Sequence, residues 1–208
     1  MKKGLAVLFP GIGYTNDRSL LYFSGRLAEN AGYELMRVSY TGFRKGIKGD
    51  PEKMREAFFL AREQAMEQLG GVSWDEYENV VFISKSIGTV VASEIAAKVI
   101  ASGSAGAMSG ASPDAIGGGK VRSVVFTPLK ETFLYLEGDA IVFHGTADPW
   151  AKTEDIVKGC SERNIPLFIT ENANHSLETG EVETDLRNLE TVMERVRELI
   201  IGAAGRGK

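Results

Sequence analysis

The chain reads VVFISKSIGTVVA over residues 80–92, and this stretch decides the fold. An apolar run typical of a buried strand ends at Ile83, and a helix-like run rich in valine and alanine begins after Ser86. A strand, a sharp small-x-Ser-x-Gly turn and a helix together lift a serine hydroxyl above the edge of a sheet. The helix N-terminus then points at the same place. We therefore predict that Ser86 is a nucleophile at the carboxyl edge of a parallel sheet.

Two alternatives concern the serines of this turn. Ser86 could be an ordinary helix N-cap, because serine is favoured at that position in any helix. Ser84 is a rival hydroxyl, but a site two residues before the centre of such a turn demands a small side chain for packing, which explains Ser84 better. Gly88 is predicted to let the following helix approach closely.

Strand-like and helix-like segments alternate along the rest of the chain. Apolar runs predict six strands, at residues 5–9, 34–40, 80–83, 121–126, 140–143 and 166–170. Helical spacing and capping residues predict five helices, at residues 18–30, 51–69, 86–101, 153–163 and 184–201, with Asp17 and Asp50 as caps of the first two. This alternation predicts a three-layer αβα sandwich around a mostly parallel six-stranded sheet, in a single domain over residues 1–208.

Two segments are predicted to lie outside the regular elements. Residues 102–119 are rich in glycine, serine and alanine and join a helix end to a strand start. We expect them to form a flexible loop at the amino edge of the sheet, remote from a ligand site at the carboxyl edge. Residues 202–208 are expected to be a frayed tail.

Composition narrows the function classes. Of the 208 residues, 43% are hydrophobic and 25% charged, which is ordinary for a soluble globular protein. A net charge of −4 without a basic patch argues against nucleic acid as a partner. No stretch reaches the ~18 apolar residues of a membrane span. The apolar run of residues 4–9 is cut short by Pro10, so we interpret it as a strand rather than as part of a signal peptide. The single cysteine, Cys160, fits a reducing compartment, and we expect a cytoplasmic protein.

A serine nucleophile needs a base to take its proton. The chain has two histidines, His144 and His175. His175 follows the sixth predicted strand in a small polar loop, and therefore lies at the carboxyl edge. His144 ends the fifth strand in a cramped turn shared with Asp148, and we interpret it as structural. His175 is the predicted base.

Asp148 is the predicted acid that accepts a proton from the imidazole and fixes its tautomer. A turn aspartate before Pro149 is the alternative. Asp139 precedes the fifth strand and so lies at the wrong edge, and Asp155 is better explained as a charge in the first turn of a helix.

Backbone amides are the expected donors to the oxyanion that forms during acyl transfer. We predict the amide of Ile87, directly after the nucleophile, and that of Ile12, in the glycine-containing loop after the first strand. A plain turn is the alternative for that loop. Gly11-x-Gly13 lacks the third glycine of a dinucleotide site, so no cofactor is expected, and no metal site is predicted.

Apolar side chains near the strand ends could bind the substrate or could simply pack in the core or at its rim. Those favoured for substrate contact are Tyr14, Phe43, Leu129 and Trp150, and weaker candidates are Phe9 and Tyr40. Basic residues near the site could bind a carboxylate, but we interpret each as a solvated surface charge: Arg44, Lys85 and Lys130.

These motifs resemble the α/β-hydrolase superfamily, in particular small lidless members related to dienelactone hydrolases. The resemblance covers nearly the whole chain and is carried by residues 10–13 (PGIG), the Ser86 turn, residues 144–148 (HGTAD) and His175. It implies a catalytic triad of Ser86, Asp148 and His175 and an oxyanion hole at Ile12 and Ile87. It further implies hydrolysis of a small-molecule, ester-like substrate without a cofactor.

The chain departs from the family pattern at several points. Ser84 stands where the family has glycine, Pro10-Gly11 replaces His-Gly, and the first two strands of larger members are absent. Residues 128–138 are too short to form the helical cap of larger members. An open, shallow site would suit short acyl chains.

Other functions on the same residues remain open at this point. A thioesterase, an amidase or an acyltransferase would use the same three side chains. A hydrolase fold that serves only as a binding module is the alternative from another class.

Overall fold

The computed structural model describes residues 2–47, 49–106 and 120–201, and within them the chain forms one six-stranded sheet. All five strand pairings are parallel, and the strand order is β2-β1-β3-β4-β5-β6. The strands are β1 Leu5–Phe9, β2 Glu34–Arg37, β3 Asn79–Lys85, β4 Lys120–Phe126, β5 Asp139–Gly145 and β6 Leu167–Thr170. The helices are α1 Ser19–Asn30, α2 Pro51–Leu69, α3 Ile87–Gly106, α4 Thr153–Ser161 and α5 Val182–Ile201. Short 3-10 helices span Trp74–Glu76 and Lys130–Leu134.

The helices cover both faces of the sheet and confirm the predicted three-layer sandwich. On one face, α1 and α5 pack over alternate strand residues such as Ala6, Leu8 and Ile83. On the other, α2 and α3 pack over the intervening residues, such as Val7 and Phe82, and α4 extends that layer over β4 and β5. Burial of both faces explains why the strands read as continuous apolar runs rather than as alternating ones.

The strand order has its topological switch point where the sequence predicts the site. The chain leaves β1 toward α1 on one face, whereas it leaves neighbouring β3 toward α3 on the other. Because the two loops part in opposite directions, the carboxyl ends of these strands are where open α/β sheets of this kind bind their ligands. Ser86 directly follows β3 at this point, and the loop from Pro10 to Tyr14 follows β1.

The two predicted helix caps have different outcomes. Asp50 caps α2 as predicted, because its Oδ1 accepts a hydrogen bond from the Lys53 amide at 3.1 Å. The prediction for Asp17 is wrong: α1 begins one residue later, after Arg18, and has no side-chain cap. The hydroxyl of Tyr14 satisfies this helix end instead, accepting from the Leu20 amide at 3.1 Å.

The third helix is longer than predicted. α3 continues to Gly106, so residues 102–106 are helical rather than part of a loop. Alanines at 101 and 105 favour the extension, and the Ser102 hydroxyl donates to the Val99 carbonyl at 2.9 Å. The rest of the predicted loop, residues 107–119, and the predicted tail, residues 202–208, lie outside the described residues. Within the described ranges, no helix combines the length and apolar character needed to cross a membrane.

Candidate active site

Ser86 occupies a strained turn between β3 and α3. Its φ is 56°, a left-handed conformation that costs a side-chain-bearing residue about 1–2 kcal/mol. Hydrogen bonds hold it there: the Ser86 amide donates to the Phe126 carbonyl at 3.1 Å, and the Ser86 carbonyl accepts from the amide and hydroxyl of Thr89 at 2.9 and 2.6 Å. The turn thus presents the hydroxyl at the sheet edge, as the small-x-Ser-x-Gly pattern predicts.

Small residues around Ser86 allow three chain segments to meet. A β-carbon on Gly88 would lie 2.5 Å from the Phe9 carbonyl oxygen, so only glycine lets α3 start this close to β1. A β-carbon on Gly11 would lie 2.9 Å from the β-carbon of Ser86. Ser84 is buried, and its hydroxyl donates to the Val124 carbonyl at 3.2 Å, so it packs between strands.

Ser86, His175 and Asp148 form one hydrogen-bonded line. The Ser86 hydroxyl donates to His175 Nε2 at 2.8 Å, and His175 Nδ1 donates to Asp148 Oδ2 at 2.7 Å. An ionised carboxylate only accepts hydrogen bonds, so the imidazole proton lies on Nδ1 and Nε2 is free to accept. The Asp148 side chain is fully buried, whereas that of His175 is 18% exposed. The structure therefore brings together the three side chains singled out in the sequence.

The loop that carries His175 is fixed to β4 and β5. The Thr127 hydroxyl donates to the His175 carbonyl at 3.0 Å, and the Ala147 amide donates to the Ala173 carbonyl at 3.0 Å. A β-carbon on Gly145 would overlap that same Ala173 carbonyl group. Thr127 is not predicted from the sequence, although its place directly after the buried strand β4 is a signal for it. These contacts fix where the imidazole stands relative to Ser86.

The electrostatic environment favours a neutral imidazole beside an ionised carboxylate. Burial lowers the pKa of His175, and the nearby positive charge of Lys85 adds to this, against the opposing effect of Asp148. Burial opposes ionisation of Asp148, but its hydrogen bond and charge interaction with His175, together with a hydrogen bond from the Trp150 amide at 2.8 Å, lower its pKa. The Trp150 ring also packs on His175, with 5.6 Å between ring centroids.

His144 lies in the core next to Asp148. Its side chain is fully buried, and its Nε2 is 3.1 Å from the Thr153 hydroxyl. Its Nδ1 is 3.8 Å from Asp148 Oδ2, which is too far for a hydrogen bond. Burial lowers the pKa of His144, so it is neutral at pH 7. The hydrogen bond to Asp148 therefore belongs to His175, the histidine that also contacts Ser86.

The two amides predicted for the oxyanion hole belong to Ile87, directly after Ser86, and to Ile12, next to Gly11 in the loop that approaches Ser86. Ile87 is the first residue of α3, and the amides of a first helical turn have no partner within the helix. Ile12 is at the tip of a two-residue turn in which the backbones of Gly11 and Tyr14 exchange hydrogen bonds of 3.1 and 3.3 Å. Gly13 has a φ of 73° and makes this turn possible. The donor role of the two amides stays a prediction.

Three of the four apolar residues favoured for substrate contact, Phe43, Leu129 and Trp150, meet in one cluster, which we call the mouth cluster. Its members come from the loops at the carboxyl edge and from the starts of α2 and α3. They include Ile12, Phe43, Ile87, Leu129 and Trp150. Tyr14 is not among them, and its assignment to substrate binding is corrected here. It is buried on the opposite face under α1, where its hydroxyl serves the helix end. Phe9 is likewise fully buried in the core.

Lys85 is the largest departure from the sequence analysis. It was interpreted as a solvated surface charge, but its residue is 1% exposed, and its Nζ lies 5.0 Å from the centre of the Tyr14 ring. The alternation of β3 held the signal, because Lys85 shares a face with the buried Val81 and Ile83. Arg44 is exposed, as expected.

Metal ligands do not cluster in the parts of the chain that the structure describes. Within them, no group of three or more histidine, cysteine, aspartate or glutamate side chains is placed to hold a metal ion.

The fold is shared with several solved structures. A putative hydrolase of the α/β superfamily from Xanthomonas campestris pv. campestris matches with a TM-score of 0.62 at 15% identity, over 95% of this chain and 98% of that one. The chain has the α/β-hydrolase fold. Est1E from Butyrivibrio proteoclasticus, solved with ferulic acid bound, matches with a TM-score of 0.64 at 12% identity, over 96% and 89% of the two chains. An esterase from Pyrococcus furiosus matches with a TM-score of 0.62 at 13% identity, over 96% and 82%.

Comparison of sequences alone gives no relatives. No model of a known protein family matches the chain, and no curated protein matches it. At identities of this size, the structural matches establish the α/β-hydrolase fold and nothing finer. The resemblance to dienelactone hydrolases stays a prediction.

Proposed function

We propose that this protein is a serine hydrolase that cleaves a small, ester-like substrate through an acyl-enzyme intermediate. The observation that carries the proposal is the line from the Ser86 hydroxyl through His175 to Asp148, with distances of 2.8 and 2.7 Å. A hydroxyl, a base and an orienting carboxylate in this arrangement activate a serine for nucleophilic attack.

The proposed reaction proceeds in two halves. Ser86 Oγ attacks the substrate carbonyl while His175 Nε2 takes its proton, and the amides of Ile12 and Ile87 stabilise the oxyanion. The imidazolium, held by Asp148, then protonates the leaving alkoxide as the tetrahedral intermediate collapses to an ester on Ser86. His175 next takes a proton from water as the water attacks that ester. The imidazolium then returns the proton to Ser86 Oγ as the second tetrahedral intermediate collapses, which releases the acid and restores the free hydroxyl.

The surroundings of Ser86 support a small or exposed substrate. The segment between β4 and β5 contains only a five-residue 3-10 helix, Lys130–Leu134, which packs against α3 and α4 rather than forming a cap. The mouth cluster offers apolar contacts for an acyl or alcohol group. Two of the solved structures with this fold are an esterase and Est1E with ferulic acid bound, which favours an ester over an amide or a thioester.

A fluorophosphonate probe tests the nucleophile directly. We expect the wild-type protein and Ser84→Ala to be labelled and Ser86→Ala to stay unlabelled, because of these two serines it is Ser86 whose hydroxyl is bonded to the imidazole of His175. Ser84 is a matched control, since it is a serine two residues away whose hydroxyl bonds to the Val124 carbonyl instead. A folded wild-type protein that resists labelling would refute the proposal.

A substrate panel tests the bond type. Short p-nitrophenyl esters, acyl-CoA thioesters and anilides are compared at equal concentration, and we expect the esters to be turned over fastest. Ser86→Ala should lower kcat by about 10⁶-fold, as in analogous triads. Faster turnover of thioesters or anilides would replace the ester assignment while leaving the nucleophile in place.

A further inference from the structure

Lys85 holds a buried amino group next to the proposed nucleophile. It precedes Ser86 directly, and its side chain enters the core on the face covered by α1 and α5. Its Nζ lies over the ring of Tyr14, and among the described residues it has no hydrogen bond or ion pair. Burying an ammonium without a direct partner costs folding free energy, so a lysine at this position calls for an explanation.

The charged groups around Lys85 belong to the site. Asp148 and Glu178 attract its positive charge, and His175 is repelled by it. Asp148 comes from the loop after β5, while His175 and Glu178 come from the loop after β6. Around His175 itself, the titratable groups that act on its charge are Asp148, Lys85 and His144. Lys85 directly precedes Ser86, whose hydroxyl is 2.8 Å from His175 Nε2, so its buried amino group is a positive charge in the immediate neighbourhood of the Asp148–His175 pair.

We propose that Lys85 is a positioning residue for the triad: its buried ammonium opposes protonation of His175 and so keeps the imidazole available as a base. The catalytic value of a neutral His175 rests on the proposed function. The electrostatic effect of Lys85 on His175 does not. Burial lowers the pKa of Lys85 to about 7. The amino group is therefore charged over the range below 6.5 in which His175 takes up its proton.

Burial makes this effect strong. The charge of an exposed lysine is screened by water and salt, whereas a charge in the protein interior is screened far less. The Tyr14 ring contributes by accepting the ammonium on its face without neutralising it. Lys85 thus balances Asp148, which alone would draw a proton onto His175.

Nuclear magnetic resonance titration of His175 tests the proposal. The pKa of His175 is measured in the wild-type protein, Lys85→Met and Lys85→Arg, and the resonance is assigned by its loss in His175→Gln. We expect the pKa of His175 to rise in Lys85→Met, which removes the charge, and to stay near the wild-type value in Lys85→Arg, which keeps it. Lys130→Met, which removes an exposed lysine near the same sheet edge, should leave it unchanged.

The outcomes separate this inference from the proposed function. An unchanged pKa of His175 in a folded Lys85→Met would overturn the role of Lys85. If that variant does not fold, Lys85→Gln removes the same charge with a polar side chain, and the same rise or its absence decides. The titration needs no turnover. An inactive wild-type protein in which Lys85→Met still raises the pKa of His175 would refute the hydrolase proposal alone. An active protein in which Lys85→Met leaves that pKa unchanged would refute only this inference.

Discussion

Ser86 carries its hydroxyl on a left-handed backbone, φ 56°, that a serine adopts only with strain. The strain places the hydroxyl at the top of the turn, and the hydrogen bonds from Thr89 and to Phe126 hold it. Glycine would adopt this backbone freely but offers no nucleophile. The residue is therefore one at which function and stability make opposite demands.

A pair of substitutions at Ser86 measures that conflict. Ser86→Gly should be more stable than Ser86→Ala by about 1 kcal/mol, because glycine relieves the left-handed strain and alanine does not. Both variants lose the hydroxyl and its bond to His175, so they differ from each other only by the β-carbon. Urea unfolding gives the two free energies, and an alanine variant as stable as the glycine variant would show that the turn is unstrained.

Asp148 is predicted to act through the tautomer of His175. In Asp148→Asn the side-chain amide can donate to Nδ1, which moves the imidazole proton to Nε2 and leaves no acceptor for the serine proton. We expect kcat on a short ester to fall by about 10³–10⁴-fold with little change in KM, as in analogous triads. Thr153→Val, which removes the partner of His144 instead, is the control and should retain most activity. Only a mild loss of kcat in Asp148→Asn would show that a group other than Asp148 orients His175.

Close approaches between elements position the proposed catalytic side chains. The start of α3 touches the end of β1 through Gly88, and the end of β5 touches the His175 loop through Gly145. At both points a side chain would overlap backbone, which can shift only by moving a whole element. Distances between the proposed catalytic groups are thus set by contacts between strands, helices and loops.

Substitution of Gly88 tests this dependence. The β-carbon of Gly88→Ala would lie 2.5 Å from the Phe9 carbonyl oxygen, so α3 must move away from β1. We expect a loss of about 2–4 kcal/mol in the free energy of unfolding, together with weaker labelling of Ser86. In Gly71→Ala the new β-carbon meets nothing within 4 Å, and this control should change the stability by less than about 0.5 kcal/mol. Equal stabilities would contradict the close approach.

At the scale of elements, the sequence predicts what depends on local pattern. Runs such as residues 5–9 give buried strands directly, and Asp50-Pro51 gives the start of α2. The cap of α1 was not predictable in the same way, because the group that satisfies it, the Tyr14 hydroxyl, is a tertiary contact. The end of α3 was missed because a run of small residues is compatible with both loop and helix.

For the site, the sequence could place residues at an edge but could not orient all of their side chains. Parallel strand order brings the segments after β3, β5 and β6 to one edge, so the meeting of Ser86, Asp148 and His175 was foreseeable. Tyr14 and Lys85 are also next to Ser86, yet both turn into the core under α1. A charged residue at a strand end was read as exposed because lysine is almost never fully buried.

At the scale of the whole molecule, the sheet separates two environments. The mouth cluster lies on the side of α2 and α3, whereas Lys85 is buried on the side of α1 and α5. Burial there lowers the pKa of Lys85 to about 7 from an ordinary 10.5. The folded protein therefore holds this proton less tightly than the unfolded chain does, and the fold is destabilised wherever the unfolded chain keeps it.

The pH dependence of stability in Lys85→Met checks this burial. Below pH 7 the wild-type protein bears the full penalty of a buried charge, and the penalty disappears as the pH rises from 7 to 10.5. Lys85→Met should thus be about 3–5 kcal/mol more stable than wild type at pH 6.5, with the difference shrinking toward zero by pH 10.5. Urea unfolding at both pH values measures it. A constant difference would mean that Lys85 titrates as an exposed lysine.

The partition of the site by the sheet has an evolutionary consequence. Under the proposed function, side chains such as Phe43 and Leu129 can change size under selection, and with them the range of acyl groups accepted, without disturbing Lys85 or Tyr14 on the far side. Under the proposed role of Lys85, variation at this residue would change the pH range in which the hydrolase works, while its preference among substrates persists. Descendants of this chain are free to diversify along the two traits separately.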